Sequence, residues 1–358
     1  MKVLISVKSL RPEYGGPAYS VSRLAAALVE AGIDVGLWAP DSSAPTTPYL
    51  AGGDQVQRLA GTMAQAVTRF GVPDLVHDNG IWAPHNHQLA RFSSVQGIPR
   101  IVSARGMLEP WAVNHKRWKK RLAWMAYQRR DLQSAVGLHA TADAEVANLA
   151  RLHLRVPVHV IPNGVDLPEI SSKGAQSGAT RTALFLGRLY PVKGLPMLID
   201  AWAATRPAGW TLRIAGPDEA SHRSSIERAV AVAGLGSVVS FSGPVTGDEK
   251  RDAFRQASFL VLPSHSESFG MVVAEALAHS LPVLTTTAVP WPALGDRQCG
   301  LRVVPTVEGL SRGLVHMTSL GPAALEAMGD RGRAFVAEEL SWPTLALRVQ
   351  AMYEEAVA

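Results

Sequence analysis

Residues 259–286 read FLVLPSHSESFGMVVAEALAHSLPVLTT. The first four form an apolar run long enough for one buried strand. Pro263, Ser264 and Ser266 then break the pattern. From about 269 to 278 the spacing predicts a helix. Val272, Val273, Ala276 and Leu277 make one apolar stripe on it, and Met271, Ala274 and Ala278 cover most of the rest. A helix that is apolar nearly all round is a buried one. Residues 281–284 read as the next strand. The stretch holds two acidic residues, Glu267 and Glu275. A buried carboxylate must be paired or hydrogen-bonded, or it costs roughly several kcal/mol. Nothing nearby in sequence is an obvious partner for Glu275, so the partner is either distant in the chain or a ligand.

The same alternation runs outward in both directions. Strands at 183–186, 211–215, 238–242, 259–262, 282–285 and 301–304 alternate with helical segments, and helices over 323–339 and 343–357 close the chain. Upstream come a strand at 2–7, a helix at 17–31, a strand at 33–39, a helix near 55–70 and a strand at 74–77. Strands at 101–103 and 136–140 flank a long helix at about 112–134, and 158–161 is a last strand. Residues 171–180, SSKGAQSGAT, are small and polar and form the best linker. The pattern predicts two doubly wound α/β domains with parallel sheets, over 1–170 and 171–340. A C-terminal helix over 341–358 is free to pack back on the first. Such folds bind ligands at the carboxyl ends of their strands, and two facing domains make a cleft.

The whole chain has 358 residues and one cysteine, Cys299, so an internal disulfide is excluded. No Cys/His spacing suggests structural zinc, and no apolar run reaches transmembrane length. The opening MKVLISVKSL is too short and too polar for a signal peptide and reads as a strand, which points to the cytoplasm. Residues 1–170 hold 18 Lys and Arg against 13 Asp and Glu, whereas 171–358 hold 17 of each. The excess positive charge therefore lies in the first half, as a solvated face or as a surface for something anionic. No nucleic-acid motif or stacking platform accompanies it, so nucleic acid is not an expected partner.

Two stretches of the second half carry chemistry. In FLGRLYPVKG, 185–194, a strand ends at Gly187, Arg188 follows at once, and Lys193 sits where the next helix begins. Both cations fall at the carboxyl edge of the sheet. Arginine suits bidentate contact with an oxyanion and lysine supplies a point charge. Ser268, Phe269 and Gly270 open the helix that carries Glu275. Free N–H groups at a helix N-terminus favour phosphate, and Gly270 permits close backbone approach. Glu275 lies further in, where a carboxylate can accept hydrogen bonds from two vicinal hydroxyls, as in a ribose. Glu267 lies in the preceding loop and points elsewhere, toward a second polyol.

Glu-x7-Glu after an apolar strand, with Gly-Arg-Leu-x-Pro-x-Lys-Gly upstream, resembles the retaining glycosyltransferases of family 4, which have the GT-B fold. The resemblance spans nearly the whole chain. It includes IPNGVD at 161–166, IAGPDE at 214–219, FSGPV at 241–245 and the closing LSWPTLALRVQAMYEEAV. It implies two Rossmann-like domains facing across a cleft, the first for acceptor and the second for nucleotide sugar. It implies that Arg188 and Lys193 bind the donor diphosphate and that Glu275 holds the ribose. Glu267 would contact the transferred sugar, with Ser268, Phe269 and Gly270 supporting phosphate or sugar. Gly216, Pro244 and Val245 would line the nucleobase pocket, and Gly15 and Gly16 would sit against the diphosphate. There is no Asp-x-Asp, so the two cations are expected to do a metal's work. No cofactor is implied beyond the donor as co-substrate.

The first half is the acceptor side by the same resemblance. In RPEYGGPAYSVSRLAAAL, 11–28, the glycines do not form Gly-x-Gly-x-x-Gly, so a dinucleotide site is unsupported. Tyr14, Asn79, His85, Arg105 and Glu109 are the candidate acceptor residues. Asn79 departs from the His-x-His-Gly-x-Trp that similar sequences carry. Arg105, in VSARGMLEPW, stands where many members have a functional histidine. A guanidinium cannot act as a base near neutral pH, so there it stabilises negative charge or orients a hydroxyl.

NHKRWKKRLAWMAYQRR, 114–130, reads as a helix whose core stripe is Trp118, Leu122, Met125 and Leu132. Trp124 and Tyr127 fall off that stripe among the cations. The face suits either an anionic membrane or plain solvent.

The combined expectation is a metal-independent, retaining transferase acting on a glycan or lipid-linked acceptor in bacterial lipopolysaccharide or exopolysaccharide assembly, at most peripheral to the inner membrane face. The rivals are a sugar-nucleotide epimerase or hydrolase, for which no acid–base constellation is found, and a hinged two-domain sugar-binding protein.

Overall fold

The computed structural model describes residues 1–50, 55–109, 113, 117–169 and 181–358. The linker at 171–180 lies outside the described residues, as do 110–112 and 114–116 at the start of the basic helix. The chain forms two compact units. One comprises Met1–Gly164 with Leu340–Ala358, the other Val165–Glu339.

The first unit is built on a seven-stranded sheet in the order β3-β2-β1-β4-β5-β6-β7. Its strands are β1 (Lys2–Val7), β2 (Asp34–Trp38), β3 (Gln57–Leu59), β4 (Leu75–Asn79), β5 (Arg100–Ser103), β6 (Gly137–Ala140) and β7 (Val158–Val160). The second unit has a six-stranded sheet in the order β10-β9-β8-β11-β12-β13. Its strands are β8 (Arg181–Leu186), β9 (Trp210–Ala215), β10 (Val239–Gly243), β11 (Phe259–Leu262), β12 (Val283–Thr286) and β13 (Gly300–Val303). Neighbouring strands are parallel throughout. Parallel sheets are covered by helices on both faces, which is why strands such as FLVL are apolar at every position and buried along their length. Each sheet grows outward from a central first strand and reverses direction there, beside β1–β4 in one and β8–β11 in the other. That reversal opens a crevice at the carboxyl ends of the strands.

The segment read as one helix over 55–70 is instead β3 followed by a shorter helix, Met63–Phe70. The break has a local cause. Thr62 accepts from the Gln65 amide at 3.3 Å while the Gln65 side chain accepts from the Thr62 amide at 2.9 Å, so a capping box starts the helix there. Two helices of the first unit, Pro84–Gln96 and Asp143–Ala150, carry little apolar periodicity and escape a pattern reading.

The basic helix corrects the expected core stripe. Trp118, Leu122 and Met125 are 65%, 55% and 67% exposed, while Leu132 is buried. The residues facing inward are the two placed off the stripe. Trp124 packs on Trp82 with ring centroids 6.2 Å apart, and the Tyr127 hydroxyl donates to the Trp82 carbonyl at 3.1 Å. The cause is a π-helical turn at Trp124–Gln128 between Arg117–Ala123 and Arg129–Gln133. One extra residue in a turn rotates everything beyond it by about 100°, so Leu132 leaves the face of Trp118.

The last helix, Trp342–Val357, packs on the first, Gly16–Glu30, within the first unit. Trp342 lies over Gly164, where an added Cβ would come within 2.5 Å of the indole. Among the described residues no helix is long and apolar enough to cross a membrane.

Candidate active site

In the second unit three loops at the carboxyl edge of the sheet lock together through their backbones. The Gly187 and Leu189 amides donate to Ala215 and Pro217, at 3.0 and 2.9 Å, and the Glu219 amide donates back to Leu189 at 3.2 Å. Gly216 has a φ of +143°, and a Cβ there would lie 1.9 Å from the Gly187 carbonyl oxygen. On the other side the His265 amide donates to the Val192 carbonyl at 2.8 Å. Gly194, with φ +68°, leaves room for the Pro263 carbonyl oxygen, 2.1 Å from where its Cβ would be. Only glycine fits either approach.

This framework sets the charged groups. Lys193 ends a short 3-10 turn, Pro191–Lys193, after β8. Its ammonium donates to Glu267 Oε1 at 2.5 Å, and the Ser264 hydroxyl donates to the same oxygen at 2.8 Å. Lys193 and Glu267 side chains are 15% and 12% exposed, so the pair is mostly desolvated. Glu267 thus faces one of the two cations, a partner that its loop position did not reveal. Arg188 is more open and donates to Glu219 Oε2 at 2.6 Å. Thr285 and Thr286 on β12 hold the next loop, their hydroxyls donating to Leu262 and Ser264 carbonyls at 2.7 and 2.5 Å.

Glu275 stands on the helix Met271–Ala278, whose N-cap is Gly270 at φ +82°. The preceding Phe269 is buried against Trp291, and its carbonyl accepts from the indole N–H at 2.5 Å. The partner left open for Glu275 is in the chain: Lys250 Nζ donates to its Oε1 at 2.7 Å from the helix Gly247–Gln256. Pro244 and Val245 follow β10, and Gly216 follows β9, where the Gly216 amide donates to the Gly243 carbonyl at 2.7 Å. The predicted donor residues of the second unit therefore all fall on the carboxyl-edge loops or on the helix that follows them. Lys250 and Glu219, which complete two of the ion pairs, were not among them. Glu219 stood in the quoted IAGPDE; Lys250 carried no sequence signal.

In the first unit Arg105 is the centre. It adopts a φ of +52° just after β5, a conformation that costs a non-glycine residue roughly 1 kcal/mol or more. Its Nε and Nη2 donate to Asn79 Oδ1 at 3.0 and 2.7 Å, and its Nη1 donates to Asn163 Oδ1 at 2.5 Å. Burial pushes the guanidinium down to about 10, against the charges of Glu145, Tyr353 and Tyr14, so it stays cationic near neutral pH. Glu145 braces the turn from behind, accepting from the amides of Gly106 and Thr141 at 2.9 and 2.8 Å. Tyr14 lies close enough for Arg105 to act on its hydroxyl, although burial is the larger effect and raises it. Gly15, at φ +81°, caps the turn that carries Tyr14, and Gly16 opens the first helix. Glu109 donates its amide to Gly106 on the same turn at 3.1 Å. His85 is different. It is buried edge-on against Trp38, 6.1 Å between rings, and burial followed by the charge of Lys8 brings it down to about 4. Asn163 and Glu145 were missed, the first in the quoted IPNGVD and the second on an unread helix.

Beneath Arg105 runs a buried polar chain. His139 Nε2 faces the Ile161 carbonyl at 2.8 Å, so it must carry the proton. His139 Nδ1 then accepts from the Ser103 hydroxyl at 2.7 Å. Ser103 accepts from His77 Nε2 at 2.7 Å, and His77 Nδ1 accepts from the Tyr353 hydroxyl at 2.6 Å. One carbonyl fixes the direction of every bond, and every group is satisfied with both imidazoles neutral. Burial agrees: it brings His139 down to about 3 and His77 well below its ordinary value. The chain ties the C-terminal helix to the strands that carry Asn79 and Arg105.

Among the described residues no three His, Cys, Asp or Glu side chains are grouped to hold a metal ion. The second unit thus offers cations and carboxylates around a glycine-lined edge, suited to an anionic, hydroxyl-rich ligand. The first offers a desolvated guanidinium.

Two family models match, one on each half. "Glycosyl transferase 4-like domain" covers residues 15–164 and "Glycosyl transferases group 1" covers residues 180–319. A D-inositol 3-phosphate glycosyltransferase of Streptomyces bingchenggensis is 32% identical over 184 residues, 49% of this chain and 40% of that protein. The GDP-mannose:cellobiosyl-diphosphopolyprenol alpha-mannosyltransferase of Xanthomonas campestris is 29% identical over 218 residues, 59% of this chain and 56% of that protein. The chain thus matches about half the length of these curated relatives. In architecture it is similar to a sucrose-phosphate synthase from Thermosynechococcus elongatus, with a TM-score of 0.80 at 20% identity over 99% of this chain and 98% of the other.

Proposed function

Since the chain belongs to the glycosyl transferases of group 1, with a 4-like domain in its first half, we propose that it moves a hexose-type sugar from a nucleoside diphosphate sugar to a glycan or lipid-linked acceptor. The donor nucleotide is GDP or UDP. Configuration at the anomeric carbon is retained and no metal ion is required. The observation that carries this reading is the set of charges at the carboxyl edge of the second sheet. Lys193 and Arg188 follow β8 there, and Glu267 and Glu275 follow β11, around backbone glycines.

Breaking the bond between the anomeric carbon and the diphosphate oxygen leaves negative charge on the diphosphate and positive charge on the sugar ring. Fixed cations on the diphosphate act mostly on that separated state, which is where stabilisation accelerates the reaction. Lys193 and Arg188 take this role. Glu267 faces Lys193 and is placed to meet sugar hydroxyls while keeping the ammonium oriented. Glu275, steadied by Lys250, accepts from the ribose hydroxyls. The departing phosphate oxygen takes the proton of the acceptor hydroxyl, so transfer proceeds on one face of the ring and no enzymic nucleophile is needed.

Arg105 serves the acceptor, as a fixed positive charge rather than a base. An anionic acceptor fits the net positive first half of the sequence. Both relatives named above carry a phosphate or diphosphate in the acceptor part of their names. Assembly of a bacterial cell-surface polysaccharide is the process this reading favours. The test is a transfer assay with GDP- and UDP-hexoses against phosphorylated and lipid-linked sugars, with chelator present, reading product by mass and anomeric configuration by NMR. Acceptor-dependent product with the donor's configuration supports the reading. Free sugar alone, an inverted anomer, or a strict need for added divalent ion overturns the corresponding part.

A further inference from the structure

Three cations at the carboxyl edge of the second unit each hold a carboxylate: Lys193 with Glu267, Lys250 with Glu275 and Arg188 with Glu219. The last pair differs from the others. Arg188 and Glu219 are 50% and 41% exposed, and they meet through one contact, Nη1 to Oε2 at 2.6 Å. So open an ion pair contributes little. It also uses one N–H of a guanidinium that can give a phosphate two. Glu267 and Glu275 have ligand hydroxyls to meet in the proposed transfer, but Glu219 has none. Among the described residues its side chain pairs with Arg188 alone. Its placement is nonetheless specific. The Glu219 amide donates to the carbonyl of Leu189, next to Arg188, at 3.2 Å, and its carbonyl accepts from the His222 amide at 3.3 Å. Ala220 and Ser221 follow with left-handed φ values of +58° and +57°. Asp218 Oδ1 closes the turn by accepting from the Arg223 amide at 2.9 Å. Two strained residues in succession thus hold this carboxylate against the arginine.

We propose that Glu219 is the resident counter-ion of Arg188, holding the guanidinium in place while the donor site is empty and yielding it to the donor diphosphate. Glu219 is then a positioning residue that touches no substrate and acts through Arg188; this rests on the transferase reading above, in which Arg188 meets the diphosphate. The two cations divide the work by burial. Lys193 is held by a desolvated pair that is costly to break and stays with Glu267. Arg188 is held by a solvated pair that is easily exchanged. After transfer, Glu219 takes Arg188 back as the nucleoside diphosphate leaves, which favours release. The consequence is a diphosphate affinity lower than Arg188 alone would give. The sign of the effect therefore identifies the role. Removing a residue that touches the donor, or one that only keeps Arg188 in shape, weakens binding. Removing a competitor strengthens it.

The test is calorimetric titration of the full chain with GDP, UDP, guanosine and uridine, at low and high salt. It compares wild type, Glu219→Gln, Glu219→Ala, Arg188→Gln and the Arg188→Gln, Glu219→Gln double variant, each checked by a thermal melt. Both Glu219 variants should bind the preferred nucleoside diphosphate about two- to fivefold more tightly than wild type, with nucleoside affinity unchanged. The gain should shrink at high salt and vanish when the double variant is compared with Arg188→Gln. A wild type that prefers the diphosphate, beside Glu219 variants that bind it equally or more weakly, overturns this inference alone. A gain of the same size without Arg188 overturns it too, since the carboxylate would then act on the ligand directly. A wild type with no preference for diphosphate over nucleoside overturns the donor reading and this inference with it.

Discussion

Lys193 and Glu267 meet across the reversal point of the second sheet, with Nζ and Oε1 2.5 Å apart and both side chains mostly out of water. One comes from the loop after β8, the other from the loop after β11, 74 positions apart in the chain. The pair fixes a cation at the edge where we propose the donor diphosphate and sets a carboxylate beside it. Such a pair is weak support for stability but strong support for position, because either partner alone would be a buried charge.

On the proposed role of Lys193, acting on charge that develops in the transition state, Lys193→Ala should reduce kcat/KM by roughly a hundredfold or more, with the larger part in kcat. The check is steady-state release of nucleoside diphosphate beside a thermal melt. A variant that stays folded and keeps full turnover would remove Lys193 from the mechanism.

Glu275→Gln keeps the shape of the side chain and loses its charge. Donor affinity should fall roughly tenfold, the scale of a hydrogen bond to an ionised acceptor. Lys250→Met should produce a smaller rise in KM with kcat little changed, because Lys250 only steadies Glu275 at 2.7 Å. Calorimetry on both variants separates the two roles; equal effects would mean that Lys250 touches the donor itself.

Gly216→Ala should destabilise the second unit by about 2 kcal/mol or more, because it combines a φ of +143° with a Cβ 1.9 Å from a carbonyl oxygen. Gly236→Ala is the control, with no atom within 4 Å of its added Cβ. Urea denaturation of the pair reads the difference directly, and equal midpoints would refute the close approach of the two loops.

The neutral histidines make stability depend on pH. His139 sits at about 3 and His85 at about 4 in the folded chain, against 6.5 when exposed, and His77 is lowered as well. A depressed folded value means the unfolded chain binds protons first. Their contribution is therefore complete above 6.5 and is lost as pH falls toward the folded values, by at most about 1.4 kcal/mol per pH unit for each group. Asp78, raised by burial, works in the opposite sense. Denaturation midpoints measured from pH 7.5 down to about 5 should decline, mostly above the carboxylate range. A flat profile there would mean that the chain from Tyr353 to Ile161 is not made of neutral imidazoles.

Most strands were legible because a parallel sheet buried on both faces writes its residues as apolar runs, whereas the short edge strand β3, QRL, is not one and was read as helix. FLVL is read from the sequence at the bounds it has in the structure. Glycines and cations just after strands were legible as well, since strand ends locate the carboxyl edge. Partners were not. Lys250 reaches Glu275 from a helix with no pattern linking the two, and Asn163 meets Arg105 from 58 positions away. The basic helix misled because a π turn changes phase without any composition signal, so a stripe counted at α-helical spacing ended on the wrong side. The helix Pro84–Gln96 escaped because its buried positions include His85, Asn86 and Ser93, which read as loop.

The most direct measurement is calorimetric titration of GDP and UDP, with guanosine and uridine as controls, into the wild-type chain and Lys193→Ala. A diphosphate site at the β8–β11 edge predicts that one nucleoside diphosphate binds the wild type, that its nucleoside binds far more weakly, and that Lys193→Ala loses about tenfold or more in affinity while remaining folded. Binding that is the same for nucleoside and diphosphate, or the same with and without Lys193, would contradict it.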